Sequence, residues 1–325
     1  MPRHTGLTRA AITALTSLVF GLSSASAFAQ TWPERTVKII VPAPTGGGMD
    51  GMGRTLAEVL PPLLKQPVVV ENRAGANSVV GLAAVARAAP DGYTLLLTAS
   101  FQTIHNWTIK NLPYDGVRDF AGVAPLGYTP LVLTASAQSG IRTVADLKSF
   151  VDRNRSGVPF AASAMETRLG AEMLLQLLNA KSQIVNYKGT GPAMTDIAGG
   201  HVPLFLTTFT SVLPFKDTGK VHMIGIAAKT RSAFLPDVPA LAEQGLPVEA
   251  GVWYGVAAPA GTPPAIIDRL NKEIARAAQT PEYKAKLKAL WIDPMSASPA
   301  EFDAFIRAES ERWRKVVQAA GIQPE

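Results

Sequence analysis

The residues best suited to chemistry in this 325-residue chain are Thr45, Gly46, Gly47 and Gly48, which follow an apolar run at 37–41 and lead into a helical pattern near Asp50. Successive glycines carry no Cβ, so a ligand can reach the backbone, and the unpaired N–H groups of a following helix start carry partial positive charge. That combination suits an anion, although a plain glycine turn has the same residue types. A second stretch repeats the arrangement. A strand expected at 183–187 runs through Tyr187 into Lys188-Gly189-Thr190-Gly191-Pro192, where Pro192 is placed to be the first helical residue and Thr190 or Gly191 its cap. If the two loops face each other they form a pincer, each charge-assisted bond to a carboxylate contributing about 1.5–3 kcal/mol. The plainer reading of 188–192 is an ordinary helix-entry turn.

Other chemistry has weaker support. Gly46, Gly48 and Gly51 also spell G-x-G-x-x-G between a strand and a helix, and Glu71 follows about twenty residues on, the nominal fingerprint of a dinucleotide site. Against it, Asp50 would set a carboxylate beside the pyrophosphate, and Pro42 and Pro44 loosen a turn that has to be tight. His105, His201 and His222 stand at no metal-ligand spacing, no Gly-x-Ser-x-Gly elbow is present, and each histidine reads as a loop or strand-end residue. The expectation is a protein that is not an enzyme and carries no cofactor or metal. An exported dinucleotide-dependent oxidoreductase is the alternative.

The elements that must position these loops alternate between strand and helix. Strands are expected at 37–41, 68–71, 93–98, 131–135, 158–162, 183–187, 203–207, 222–227 and 252–258. Between them, Ser78 is expected to cap a helix over 79–89, Thr143 with Asp146 a helix ending near Gly157, and 169–178 carries an apolar face. This alternation predicts parallel sheets covered on both sides. The last quarter is helical: Thr262-Pro263, Thr280-Pro281 and Ser298-Pro299 each open a helix. The fold class expected is α/β, two similar Rossmann-like lobes with a ligand cleft between them and a helical C-terminal tail. Residues 30–130 plus 252–325 form the first lobe and 131–251 the second.

Residues 1–29 read as a secretory signal, with Arg3 and Arg9 in the basic region, an apolar stretch from Ala10 to Leu22, and cleavage after Ala27-Phe28-Ala29. The mature chain is expected in the periplasm, a retained anchor being the other reading of the leader. Its loss lowers the formal charge from +6 to +4, and no basic run interleaved with aromatics argues for nucleic acid. Without cysteine there is no disulfide, thiolate nucleophile or lipid-modified cysteine.

A set of ordered motifs ties these features together: Pro44-Thr45-Gly46-Gly47-Gly48-Met49-Asp50, Glu71-Asn72-Arg73-Ala74-Gly75-Ala76, Ala89-Pro90-Asp91-Gly92-Tyr93, Leu112-Pro113-Tyr114-Asp115, Tyr187-Lys188-Gly189, Leu235-Pro236-Asp237-Val238-Pro239 and Ala258-Pro259-Ala260-Gly261-Thr262-Pro263. In these the chain resembles the Bug-type receptors, the extracytoplasmic solute-binding proteins of tripartite tricarboxylate transporters, over essentially all of its mature length. The resemblance implies a periplasmic binding protein fold that closes on a small organic carboxylate and works as a monomer with the membrane subunits of such a transporter. It implies that Thr45 to Gly48 and Gly189-Thr190 hold one carboxylate, largely through ordered water, with Tyr187 beside the second loop. Ser100, Gln102 and Thr103, after the third strand, lie at a comparable edge.

Two departures from that family's pattern fall where ligand selection is expected. Ser163-Ala164-Met165-Glu166-Thr167 replaces a longer glycine- and serine-rich loop, and Thr207 stands where relatives commonly place an aspartate. Thr207 could bond a neutral group or be a β-branched strand end. Arg168 reads either as the partner of a second carboxylate or, more simply, as a solvated helix residue. Phe101, Trp107, Phe209 and Trp253 suit an aromatic-acid pocket or, more simply, the core. A sensor or orphan receptor with the same fold is a further reading, since only the partner would differ.

Overall fold

The computed structural model describes residues 32–325 apart from Ala233; the leader and its cleavage site lie outside the described residues. The chain from Arg35 to Glu325 is one compact unit built on a ten-stranded sheet. The strands are β1 (Val37–Val41), β2 (Val68–Asn72), β3 (Thr94–Ala99), β4 (Phe120–Ser136), β5 (Val158–Ala162), β6 (Ser182–Asn186), β7 (Leu204–Thr208), β8 (Val221–Ile226), β9 (Gly251–Pro259) and β10 (Asp293–Pro294).

Two parallel triplets stand at the ends of the sheet, β2-β1-β3 and β7-β5-β6. Between them the expected parallel order gives way to antiparallel pairing: β3 with β9, β9 with β4, and β4 with β7 and β8. The long β4 belongs to both halves, Phe120 to Pro130 pairing β9 and Leu131 to Ser136 pairing β7 and β8. Its first half carries Pro125 and Pro130, residues that argue against a strand. Register shifts at Gly122/Ala124 and Pro125/Gly127 bend the strand there, and an interrupted ladder is where a proline is tolerated in a sheet.

The helices are α1 (Gly48–Val59), α2 (Val79–Ala86), α3 (Phe101–Thr108), α4 (Val144–Arg153), α5 (Met165–Leu177), α6 (Thr190–Gly199), α7 (Pro264–Ala277), α8 (Pro281–Ala289) and α9 (Pro299–Ala319). The start of α4 is the expected one, Thr143 and Asp146 forming a reciprocal capping box, and Ser298 with Glu301 does the same for α9. In contrast, Ser78 precedes α2 in a left-handed conformation, φ 75°, and its side chain caps nothing. Helix α6 begins at Thr190 with Gly189 as its N-cap, two residues before Pro192. A proline can sit anywhere in the first turn, where its missing N–H breaks no helical bond, so it does not mark the first helical residue uniquely.

Matching glycines seat a helix on each half of the sheet. A Cβ at Gly53 of α1 would lie 2.6 Å from Val41 Cγ2, and one at Gly170 of α5 would lie 2.5 Å from Leu206 Cδ2. Close approach of this kind needs a residue without a side chain, and overpacking costs about 1–3 kcal/mol. Ile40, Leu82, Leu96 and Phe120 fill one core, and Leu133, Phe160, Leu174 and Leu206 another. A third cluster, Ile104, Leu169 and Trp313, joins α3, α5 and α9. No helix among the described residues is long and apolar enough to cross a membrane.

Candidate functional site

Parallel strands end at a common edge, and each triplet therefore sends its loops to one side. A cavity of about 1080 Å3 opens where those carboxyl ends meet. Its walls come from the segment 76–79 after β2, Phe101 after β3, 163–166 after β5 and 186–189 after β6. This is the position at which open α/β sheets bind ligands.

The second glycine loop is part of the wall. Tyr187, Lys188 and Gly189 line the cavity, and the Tyr187 hydroxyl donates to Asp196 Oδ2 at 2.7 Å. Thr190 opens α6, whose first N–H groups have no intrahelical acceptor. Ser163 also lines the cavity, although its backbone N–H is already bonded to Thr167 Oγ1 at 3.0 Å.

The first glycine loop, Thr45 to Gly48, is exposed and is not part of this wall. It is braced from behind by the Asp50 carboxylate, which accepts from Gly46 N at 2.9 Å, Arg54 Nε at 2.9 Å and Asn72 Nδ2 at 3.0 Å. The Arg54 bond, then the Gly46 N–H, lower the Asp50 pKa to about 2. An anion of the protein's own thus already holds one loop donor. A pyrophosphate in the dinucleotide position would meet that carboxylate, so the G-x-G-x-x-G spacing does not describe a nucleotide site.

Ser100, Gln102 and Thr103 are fully buried. The Ser100 hydroxyl accepts from Trp253 N at 3.0 Å, Gln102 Nε2 donates to Gly116 O at 2.6 Å, and Thr103 Oγ1 donates to Ser100 O at 2.8 Å. Helix α3 starts directly after β3 and turns these polar side chains inward, leaving Phe101 at the cavity. Thr207 is buried in β7, and its hydroxyl has no partner among the described residues.

Two segments gain importance in the structure, the start of α5 and the stretch 76–78. Glu166, in the first turn of α5, lines the cavity, and burial pushes its carboxyl above the usual range. Arg168 is half-buried rather than solvated; it lines the cavity, and its Nε is shielded without a partner. Ala76, Asn77 and Ser78 form a left-handed run, φ 44°, 51° and 75°, at the rim. Such backbone costs about 1–2 kcal/mol per residue. The strand-end logic that picked out the glycine loops points equally to 76–78, but nothing in the sequence announces its backbone conformation.

His105 is a helix residue, not a loop or strand-end one. It is buried in α3, its Nδ1 lies 2.7 Å from the Tyr114 hydroxyl, and burial lowers its pKa to about 4, leaving it neutral at neutral pH. His201 follows α6 and His222 lies in β8. Phe209 packs edge-on to Trp291, and Trp253 to Phe302, so both fill the core. Trp107 reaches Ser310 through its indole N–H. Among the described residues no group of three His, Asp or Glu side chains is placed to hold a metal.

Comparison with known proteins decides the family. The model of the tripartite tricarboxylate transporter family receptor matches residues 52–322. The chain belongs to that family. It is similar to Protein BugT of Bordetella pertussis, 36% identical over 91% of this chain and 92% of BugT. Among solved structures it resembles the periplasmic binding protein BugD, with TM-score 0.73, 30% identity and coverage of 90% of this chain and 100% of BugD. Rpa4515 of R. palustris, solved with adipate, gives TM-score 0.77 at 30% identity over 90% of this chain and 100% of Rpa4515. MatC of Rhodopseudomonas palustris, solved with bound malate, gives 0.71 at 29% identity over 88% of this chain and 100% of MatC. Members of this receptor family are periplasmic solute-binding proteins, not enzymes, and work with membrane transporter subunits. The fold is accordingly the two-lobed periplasmic binding protein fold.

Proposed function

We propose that this receptor captures a small organic carboxylate in the periplasm and delivers it to the membrane subunits of a tripartite tricarboxylate-type transporter. The observation that carries the reading is the cavity at the carboxyl ends of β2, β3, β5 and β6, which draws its walls from both parallel triplets. Residues 30–130 plus 252–325 act as one lobe and 131–251 as the other, joined by the strands that run between them. Ligand binding favours the closed arrangement because it contacts both lobes only there.

In this reading Gly189 and Thr190 supply N–H donors from one side, and Thr45 to Gly48 approach from the other on closure. Ser163 and Tyr187 border the same space. Ser100, Gln102, Thr103 and Thr207 are buried and are not among the cavity-lining residues; in this reading the first three brace the start of α3 through bonds such as those to Trp253 and Gly116. Relatives solved with adipate and malate, both organic acids, support the ligand class.

Mild mass spectrometry of the purified mature protein, followed by denaturation and analysis of what is released, tests this directly. Recovery of an organic acid in near-equal amount is the expected result. Should the protein be empty, a thermal-shift panel of mono-, di-, tri- and aromatic acids decides, and silence across it rejects the carboxylate reading. For the transport step, cells lacking the receptor are expected to lose uptake of the identified acid; undiminished uptake would leave binding and remove delivery.

A further inference from the structure

We propose that His105 is a ligand-contacting residue: its Nε2–H donates from the cavity wall to an oxygen of the bound acid, and Tyr114 fixes the ring proton on that nitrogen. The inference rests on the carboxylate-receptor reading and adds a side chain to its backbone donors. Phe101, Ile104, His105 and Thr108, at helical spacing, form the face of α3 that lines the cavity. Thr108 spends its hydroxyl on Ile104 O at 3.1 Å, which leaves His105 as the polar group on that face.

The geometry determines which nitrogen is free. Nδ1 lies 2.7 Å from the Tyr114 hydroxyl, and neither atom has another partner among the described residues. A neutral imidazole has one N–H and one acceptor nitrogen. Were Nδ1 the donor, the buried Tyr114 hydroxyl would be left with its hydrogen and no acceptor among those residues; with Tyr114 donating, both groups are satisfied and the ring proton sits on Nε2. Burial keeps the pair uncharged, lowering the imidazole pKa to about 4 and raising that of the hydroxyl. Nε2 itself has no partner among the described residues, yet it is not sealed from solvent as His222 Nε2 is. Phe101 stacks on the imidazole with centroids 5.6 Å apart, and Tyr114 meets Phe120 edge-on at 5.8 Å, so packing holds the ring before any ligand arrives. A donor fixed in advance loses little freedom on binding, and a bond to a charged acceptor is among the stronger ones.

Long-range proton–nitrogen NMR correlation of the imidazoles tests the tautomer in the wild-type protein, with His105 assigned through its contacts to the Phe101 and Tyr114 rings. Calorimetry tests the contact, using whichever of benzoate, succinate, glutarate and citrate binds most tightly. His105 is expected in the Nε2–H form, with an Nε2 signal that shifts on saturation with the acid. His105→Phe is expected to weaken binding about tenfold, and His105→Gln, whose amide N–H can take the place of Nε2–H, less than about threefold. Tyr114→Phe is expected to populate both tautomers. An Nδ1–H form in the wild type, an Nε2 signal indifferent to bound acid, a folded His105→Phe protein of unchanged affinity, a Gln variant no better than the Phe one, or an unchanged tautomer in Tyr114→Phe each overturns the inference and leaves the carboxylate reading standing. Binding of no acid in the panel removes both. Tautomer and signal shift are read on the wild-type protein, so a misfolded variant does not rescue the proposal.

Discussion

The two glycine loops look alike in sequence and are built differently. Behind Thr45-Gly46-Gly47-Gly48 stands Asp50, whose carboxylate joins Gly46, Arg54 and Asn72 into one part-buried network. Neither helix start has a side-chain cap, but among the described residues no carboxylate accepts from the backbone of the second loop as Asp50 does from Gly46. The first loop is therefore a braced edge with part of its hydrogen bonding already used. The second is an open one whose helix-start donors remain for a guest. Each loop contains one glycine in a conformation that side chains rarely adopt, Gly46 with φ 85° and Gly189 with φ 127°, whereas Gly47 has ordinary extended backbone.

The sharpest way to break this contrast is to remove the brace. Asp50→Ala removes the shared acceptor of three donors, two of which, Gly46 and Arg54, remain open to water, and is expected to cost about 1–2 kcal/mol in denaturant unfolding; an unaltered midpoint would deny the network its role. The same carboxylate predicts an acid response. Its folded pKa, about 2, lies below the ordinary value of 3.8, so its contribution is complete above about pH 4 and is lost as pH falls through about 2. Wild type is expected to lose stability across that window more steeply than Asp50→Asn.

At the second loop, Gly189→Ala is expected to cost about 1–2 kcal/mol of stability through backbone strain and to weaken ligand binding as well. Gly47→Val should separate the two effects. The nearest atom to a Cβ there is Pro44 O at 3.9 Å, so folding is expected to be nearly unchanged while carboxylate affinity falls about tenfold, some 1.4 kcal/mol. Unchanged affinity in a folded Gly47→Val protein would take the first loop out of the site. The smallest effect is expected from Tyr187→Phe, which removes the bond to Asp196 at a cost of about 0.5–1 kcal/mol and keeps the ring that lines the cavity.

Much of this architecture is written locally. The strands at 37–41 and 158–162 are short β-rich runs bounded by turn residues, and the starts of α4, α8 and α9 follow from Thr143, Thr280 and Ser298 with their partners three residues on. Strand β4 between Phe120 and Pro130 was not legible, because its prolines and glycines read as loop and only the ladder with β9 makes them a strand. Arg168 illustrates the same limit at the site. Its helix position is evident from sequence, but its place in a cavity wall depends on the segments 76–79 and 186–189, which come from distant parts of the chain.

The residues by themselves therefore determined the α/β alternation, the helix starts and the two glycine loops, since each depends on neighbours within a few positions and on backbone chemistry that composition exposes. Only the tertiary structure decided the antiparallel centre of the sheet, the inward turn of Ser100, Gln102 and Thr103, and the shielded, unpartnered Nε of Arg168. Those features depend on which distant segments remove water from a side chain or complete its hydrogen bonds, and burial of that kind has no signature in local spacing.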